Sequence, residues 1–151
     1  MKKTVLITGA TSGIGLGCAR KFAANGDRLI LTGRNEAALL EIKQELEKTG
    51  SEVYTLTFDV RSRAAAEKAI STLPAAWKDI DVLVNNAGLA LGLEAEYEGS
   101  LDDWETMIDT NIKGVLTMTR LIVPGMVARN RGHVINIGPV AGDAAYAGGN
   151  V

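Results

Sequence analysis

The residues best suited to chemistry come early. Thr8-Gly9-Ala10-Thr11-Ser12-Gly13-Ile14-Gly15 follows directly on a short β-branched run and leads into a segment of helical period. At such a strand-to-helix turn the three glycines have separate physical uses. Gly9 permits the tight turn, Gly13 lets the backbone approach a pyrophosphate, and Gly15 allows close packing of helix on strand. The free N–H groups and positive dipole end of the helix then face the phosphates. A glycine-rich turn that binds nothing is the plain alternative; the position immediately after the first strand favours the ligand site.

The tip of the second apolar run selects among dinucleotides. A site for NAD places a carboxylate there against the ribose hydroxyls. This chain reads Leu31-Thr32-Gly33-Arg34-Asn35, with no acid at the tip. A carboxylate would repel a 2′-phosphate, whereas the Arg34 guanidinium can bind its oxygens in bidentate fashion. The pattern favours NADP over NAD, with a merely solvated Arg34 as the alternative.

These residues need elements to position them. Short β-branched runs at 4–8, 28–32, 53–58, 80–84 and 133–137 read as strands, and helical segments are expected at 13–25, 36–48, 63–73, 101–107 and 111–129. Leu39, Ile42 and Leu46 share one face of the second helix, which Asn35 can cap and Gly50 can end. Ser100 and Asp103 make a capping box for the fourth. Buried strand runs separated by helices imply parallel β-α-β units. The expected fold is α/β: a single Rossmann-type, doubly wound parallel domain over 1–151, cut to about five strands in the order 3-2-1-4-5.

The composition sets the outer bounds. The chain has 151 residues, 46% hydrophobic and 23% charged, with a formal net charge of −2, so neither nucleic acid nor an anionic membrane is an expected partner. One cysteine and one histidine leave no internal disulfide and no metal cluster. Cys18 reads as a small buried residue in a helix. The apolar run behind Met1-Lys2-Lys3 spans only 5–7, too short for a signal peptide, and no segment approaches the ~20 apolar residues of a membrane span. A cytoplasmic location is expected.

Further strings point to a family. Asp59-Val60 follows the third strand, Asn85-Asn86-Ala87-Gly88 ends the fourth, Asn111-Ile112-Lys113-Gly114 lies in a helix, and Val134-Ile135-Asn136-Ile137-Gly138 forms the fifth strand. With the Thr8–Gly15 turn, they resemble the short-chain dehydrogenase/reductase family over essentially the whole chain. The run from Asn85 to Gly92, the run from Asp103 to Asn111, Pro124-Gly125-Met126 and Gly148-Gly149-Asn150-Val151 look like its bacterial NADP-dependent 3-hydroxy acid dehydrogenases. That subgroup oxidises serine, allo-threonine and related 3-hydroxy acids, or reduces the semialdehydes.

The resemblance implies a set of roles. Gly9, Thr11, Ser12, Gly13, Ile14 and Gly15 would surround the pyrophosphate and nearby ribose, and Arg34 would meet the 2′-phosphate. Asn35 stands where close relatives often place a second arginine, a departure that would weaken NADP preference. Asp59 and Val60 would border the adenine; Asn86, Ala87 and Gly88 would line the ribose side. Asn111 would belong to a catalytic tetrad, helping to seat a water in a proton relay. On its residue type alone it is poor in a helix interior and could equally be an N-cap. Lys113 reads as a solvated helix residue, and Trp104 and Met107 as core or interface.

The remaining catalytic groups implied by the resemblance do not follow. The serine position after Gly138 is Pro139, which has neither a hydroxyl nor a backbone N–H. The Tyr-x-x-x-Lys pair is expected immediately after Val151, and Tyr146 has Asn150 rather than lysine four residues on. The chain as written is expected to be catalytically incompetent, a part of an NADP-dependent dehydrogenase that acts on a small-molecule substrate. The resemblance also implies a homo-oligomer, a dimer or tetramer packed through the 111–129 helix. A non-catalytic nucleotide-binding or interaction module is the alternative, with Pro139 its best support. A methyltransferase of Rossmann type is disfavoured by the missing acid after the second strand and by the 85–88 motif.

Overall fold

The computed structural model describes residues 2–139. Tyr146 and the 148–151 string therefore lie outside the described residues. Five strands, β1 (Thr4–Ile7), β2 (Arg28–Gly33), β3 (Val53–Thr57), β4 (Val82–Asn85) and β5 (His133–Asn136), pair in the order β3-β2-β1-β4-β5. Every pairing is parallel; Ile7, for example, stands in register with Leu31 on one side and Val84 on the other. The expected doubly wound sheet and its strand order are what the chain adopts.

Helices α1 (Gly13–Ala24), α2 (Glu36–Glu47), α3 (Arg63–Ser71), α4 (Leu101–Ile108) and α5 (Gly114–Ala128) complete the alternation. They cover both faces of the sheet, which is why β1 is buried at successive positions rather than at every second one. Val5, Ile7, Leu29 and Leu31 point into one core with Leu39 and Leu46 of α2; Leu6, Ile30 and Leu83 point into the other with Met118 and Ile122 of α5. Asn35 caps α2 by accepting from the Ala38 N–H at 3.1 Å, and Ser100 caps α4 through the Asp103 N–H at 3.3 Å. Gly50 sits just beyond α2 at a φ of 90°, a value that favours glycine.

Three local expectations are corrected. The fourth strand is Val82–Asn85 and not 80–84: the Ile80 N–H is spent on the Lys78 carbonyl in the turn before it, and Asp81 meets Thr4 through its backbone N–H and its carboxylate. The expected 111–129 helix does not begin at Asn111: α4 runs into a π-helical turn, Asp109–Lys113, and then into α5. Asn111 is thus neither an N-cap nor an ordinary α-helical residue. Cys18 is half-buried rather than buried, packed against the α1 side of the core. Met107 is buried, as expected of a core residue, and Lys113 is exposed and ion-paired to Asp109. Two short 3₁₀ turns, Ala75–Trp77 and Glu96–Glu98, are not legible as helices in the sequence.

Candidate functional site

Strand order reverses between β1 and β4, and the loops leaving the strands' carboxyl ends part on either side of that junction. Open parallel sheets bind ligands at such a crevice. Here it is a cleft of about 820 Å³. Its walls include every residue expected from the sequence except one: Gly9, Thr11, Ser12, Gly13, Ile14, Arg34, Asp59, Val60, Asn86, Ala87, Gly88 and Asn111.

The exception, Gly15, lies behind the wall. A Cβ there would overlap the Gly9 carbonyl oxygen and the Asn86 side chain, so only glycine lets α1 leave the turn at this angle. Gly9 has a φ of 63° and lies so close to Ala87 that a Cβ would sit 2.9 Å from its Cα. Gly13 also has a positive φ, 53°, but a Cβ on it would meet nothing within 4 Å. Its bare backbone borders open space, as close approach of a ligand requires. The Ser12 hydroxyl makes no capping bond to α1, and the Ile14 side chain stands 62% exposed at the turn.

The turn is bound to the loop after β4 by reciprocal bonds. The Thr8 hydroxyl accepts from the N–H groups of Asn86 at 3.0 Å and Ala87 at 2.9 Å. In return the Asn86 amide donates to the carbonyls of Thr8 and Gly9 at 3.0 and 2.9 Å. Asn111 braces the next stretch: its carboxamide oxygen accepts from the Leu89 N–H at 3.0 Å and its NH₂ donates to the Leu89 carbonyl at 2.7 Å. The π turn that carries it inserts an extra residue into the helical ladder, a device often found at functional sites.

Arg34 lines both this cleft and an adjoining open recess of about 710 Å³ formed with Thr11, Asn35, Glu36 and Ala37. Among the described residues it makes no hydrogen bond or ion pair. Asp59 is occupied by a neighbour: Arg61 donates from Nε and Nη2 to its carboxylate at 3.0 and 2.7 Å, and from its backbone N–H at 2.9 Å. Those bonds, foremost the side-chain one, hold the Asp59 carboxyl below the usual carboxylate range against its partial burial, with smaller help from the nearby charges of Arg61 and Arg34.

Sequence reasoning missed several wall residues. Arg61 was within reach, two positions after Asp59 in the same turn. Asn136 could not be singled out without knowing that it stands in register with Asn85. Asn85, 3% exposed, donates to Asn136 at 2.9 Å and to the Thr119 hydroxyl at 3.2 Å, while its own oxygen has no partner among the described residues. Pro139 is also at the wall. No group of histidine, cysteine and carboxylate residues suited to a metal ion occurs among the described residues, and no helix there is long and apolar enough to cross a membrane.

Known proteins share this geometry. The family model described as short chain dehydrogenase matches residues 3–151. The chain is 59% identical over 147 residues to the NADP-dependent 3-hydroxy acid dehydrogenase of Salmonella typhi, covering 97% of this chain and 58% of that one. It is 44% identical over 151 residues to the serine 3-dehydrogenase of Agrobacterium fabrum, covering all of this chain and 59% of that one. A solved structure of serine dehydrogenase in its closed form, complexed with NADP+, superposes with a TM-score of 0.93 at 55% identity, over 98% of this chain and 58% of that one. The chain therefore spans a little under three fifths of the length of these curated relatives.

Proposed function

We propose, from the premise that this chain belongs to the short chain dehydrogenase family, that residues 1–151 form the nucleotide-binding part of a cytoplasmic oxidoreductase. The cofactor would be NADP(H), and the reaction hydride transfer between it and a 3-hydroxy acid or the corresponding semialdehyde. The observation that carries the cofactor choice is Arg34. It directly follows β2, which ends without an acid, and it is unpaired among the described residues and borders both the cleft and the recess beside it.

The residues present fit a dinucleotide. Open space in front of Gly13 and the uncommitted Ser12 hydroxyl suit a pyrophosphate at the head of α1. The exposed Ile14 side chain offers an apolar face to a ligand above the turn. Val60 and Asp59 would border the adenine, and Asn86 to Gly88 the riboses. Bound there, the nicotinamide supplies the hydride donor or acceptor. Asn111, with its side chain spent on Leu89, would serve by fixing the loop wall and the path of the helix beside it. Exposed apolar side chains along α4, the π turn and α5, Ile108, Ile112, Leu116 and Val127, support the reading that a second copy packs there.

A second reading, nucleotide binding without turnover, is favoured by Pro139. It lies at the wall where the resemblance calls for a serine hydroxyl, and proline can donate no hydrogen bond. Calorimetric titration of this chain with NADPH and NADH, paired with an assay of NADPH-dependent semialdehyde reduction by the longer protein of which residues 1–151 would be the nucleotide-binding part, separates the readings. Tight NADPH binding with reduction supports the oxidoreductase; the same binding without reduction supports the binding module. Arg34→Ala should weaken NADPH by roughly 10- to 100-fold, the worth of charge-assisted bonds to a phosphate, and NADH far less. Equal losses for the two cofactors would remove the case for NADP.

A further inference from the structure

The β2–β3 side of the cleft carries two guanidiniums, Arg34 and Arg61, and one carboxylate, Asp59. Arg34 and Asp59 leave adjacent strands whose ends are in register, Gly33 opposite Thr57, and both line the same cleft. Left to itself, that carboxylate would draw the Arg34 guanidinium toward it and would repel any phosphate placed between them. Arg61 is bonded to the carboxylate instead. Its Nε lies 3.2 and 3.0 Å from the two Asp59 oxygens, its Nη2 lies 2.7 Å from one of them, and its backbone N–H takes the other at 2.9 Å. The Ser62 N–H, donating to the Asp59 carbonyl at 3.0 Å, fixes the turn in which the pair forms. Arg61 also feels the charge of Asp109, but that carboxylate is bonded to Lys113 at 2.7 Å. Arg61 is thus committed to Asp59, and Arg34 stays unpaired among the described residues.

We infer that Arg61 is a positioning residue for cofactor choice: by engaging Asp59 it keeps Arg34 available to a ribose 2′-phosphate. This rests on the NADP reading of the cleft. Arg61 acts through Asp59 and is not itself the phosphate ligand.

The test is a cycle of variants in the full chain, each titrated with NADPH and with NADH, with the ratio of the two Kd values as the readout. Arg61→Gln removes the charge and should lower the preference for NADPH about five- to tenfold, because Asp59 becomes free to pair with Arg34 and to oppose the phosphate. Arg61→Lys, which keeps the charge but not the two-pronged geometry, should fall between. Asp59→Asn combined with Arg61→Gln should return the ratio to within about threefold of the parent, since with no carboxylate there is nothing left to restrain. Whatever Asp59 contributes toward the adenine is common to both cofactors and cancels in the ratio.

A preference lost in Arg61→Gln and not recovered in the double variant would show that Arg61 binds the phosphate itself, which overturns the inference. An unchanged ratio in Arg61→Gln, or equal weakening of both cofactors, overturns it too. A parent chain that binds NADH as well as NADPH overturns the NADP reading, and this inference with it. A parent that prefers NADPH while Arg61→Gln is silent overturns the inference alone.

Discussion

The two halves of the cleft are built from different chemistry. On the β1–β3 side the wall carries Arg34, Asp59 and Arg61 beside a turn whose glycines leave backbone open to a ligand. On the β4–β5 side the polar residues are four amides, Asn85, Asn86, Asn111 and Asn136, and the hydroxyl of Thr110, followed by Pro139. Each of these amides spends bonds on the protein itself: on Thr119, on the Thr8 and Gly9 carbonyls, on Leu89, and on one another. Amides hold a shape at any pH but neither lose nor gain a proton near neutrality. One half therefore presents charged groups and open backbone to the cleft. The other, among its described residues, is equipped to keep a wall in place.

The sharpest way to break this division is at the seam between the halves. Gly15→Ala drives a methyl group into the Gly9 carbonyl and the Asn86 amide, and a backbone oxygen cannot step aside cheaply. A loss of about 3 kcal/mol of stability is expected, at the upper end for overpacking, with a large loss of NADPH affinity. Urea unfolding and titration on the same samples check both. Unaltered stability would mean that the turn adapts and that the halves are less firmly joined than their bonds suggest.

Asn111→Ala sharpens the comparison from the amide side. It removes two bonds to a partly exposed loop, so stability should fall by about 1 kcal/mol while the NADPH-to-NADH preference stays where it is. Thermal unfolding and the cofactor ratio are the measurements. A shift in the ratio would show that the amide half also takes part in cofactor choice.

The smallest effect concerns pH. The Asp59 carboxyl is held below its ordinary range, chiefly by its hydrogen bonds from Arg61. A depressed acid contributes stability that is present above its unfolded pKa, near 4, and is lost as pH falls through the lower folded value. The stability difference between the parent and Asp59→Asn should therefore be constant from about pH 8 to 5 and shrink below about 4. For a pair this exposed it should not exceed about 1 kcal/mol, and added salt should reduce it. A difference that changed near neutrality would point to another group.

Much of the fold is legible in the residues because it depends on local periodicity. The β-branched runs had to be strands, and their lack of alternation required helices on both faces. Asn35, Ser100 and Gly50 marked helix ends by their own chemistry, and each is found there. The π turn is different. Nothing in Asp109-Thr110-Asn111-Ile112-Lys113 forbids an ordinary helix, so its widening is visible only in the folded chain.

The site divides in the same way. Glycine spacing and the missing acid after β2 are properties of a short stretch, and they pointed, from the sequence by itself, to residues that line one half of the cleft. The partner of Asn85 lies 51 positions away, Leu89 meets Asn111 across 22, and Asn86 reaches Thr8 across 78. Even Arg61, two residues from Asp59, shows its pairing only in the folded turn, beside an Arg34 that is unpaired among the described residues. Backbone conformation and residue type are local and can be read in order. Which polar groups satisfy one another across the sheet is a question of distance in space, and only the tertiary structure decided it.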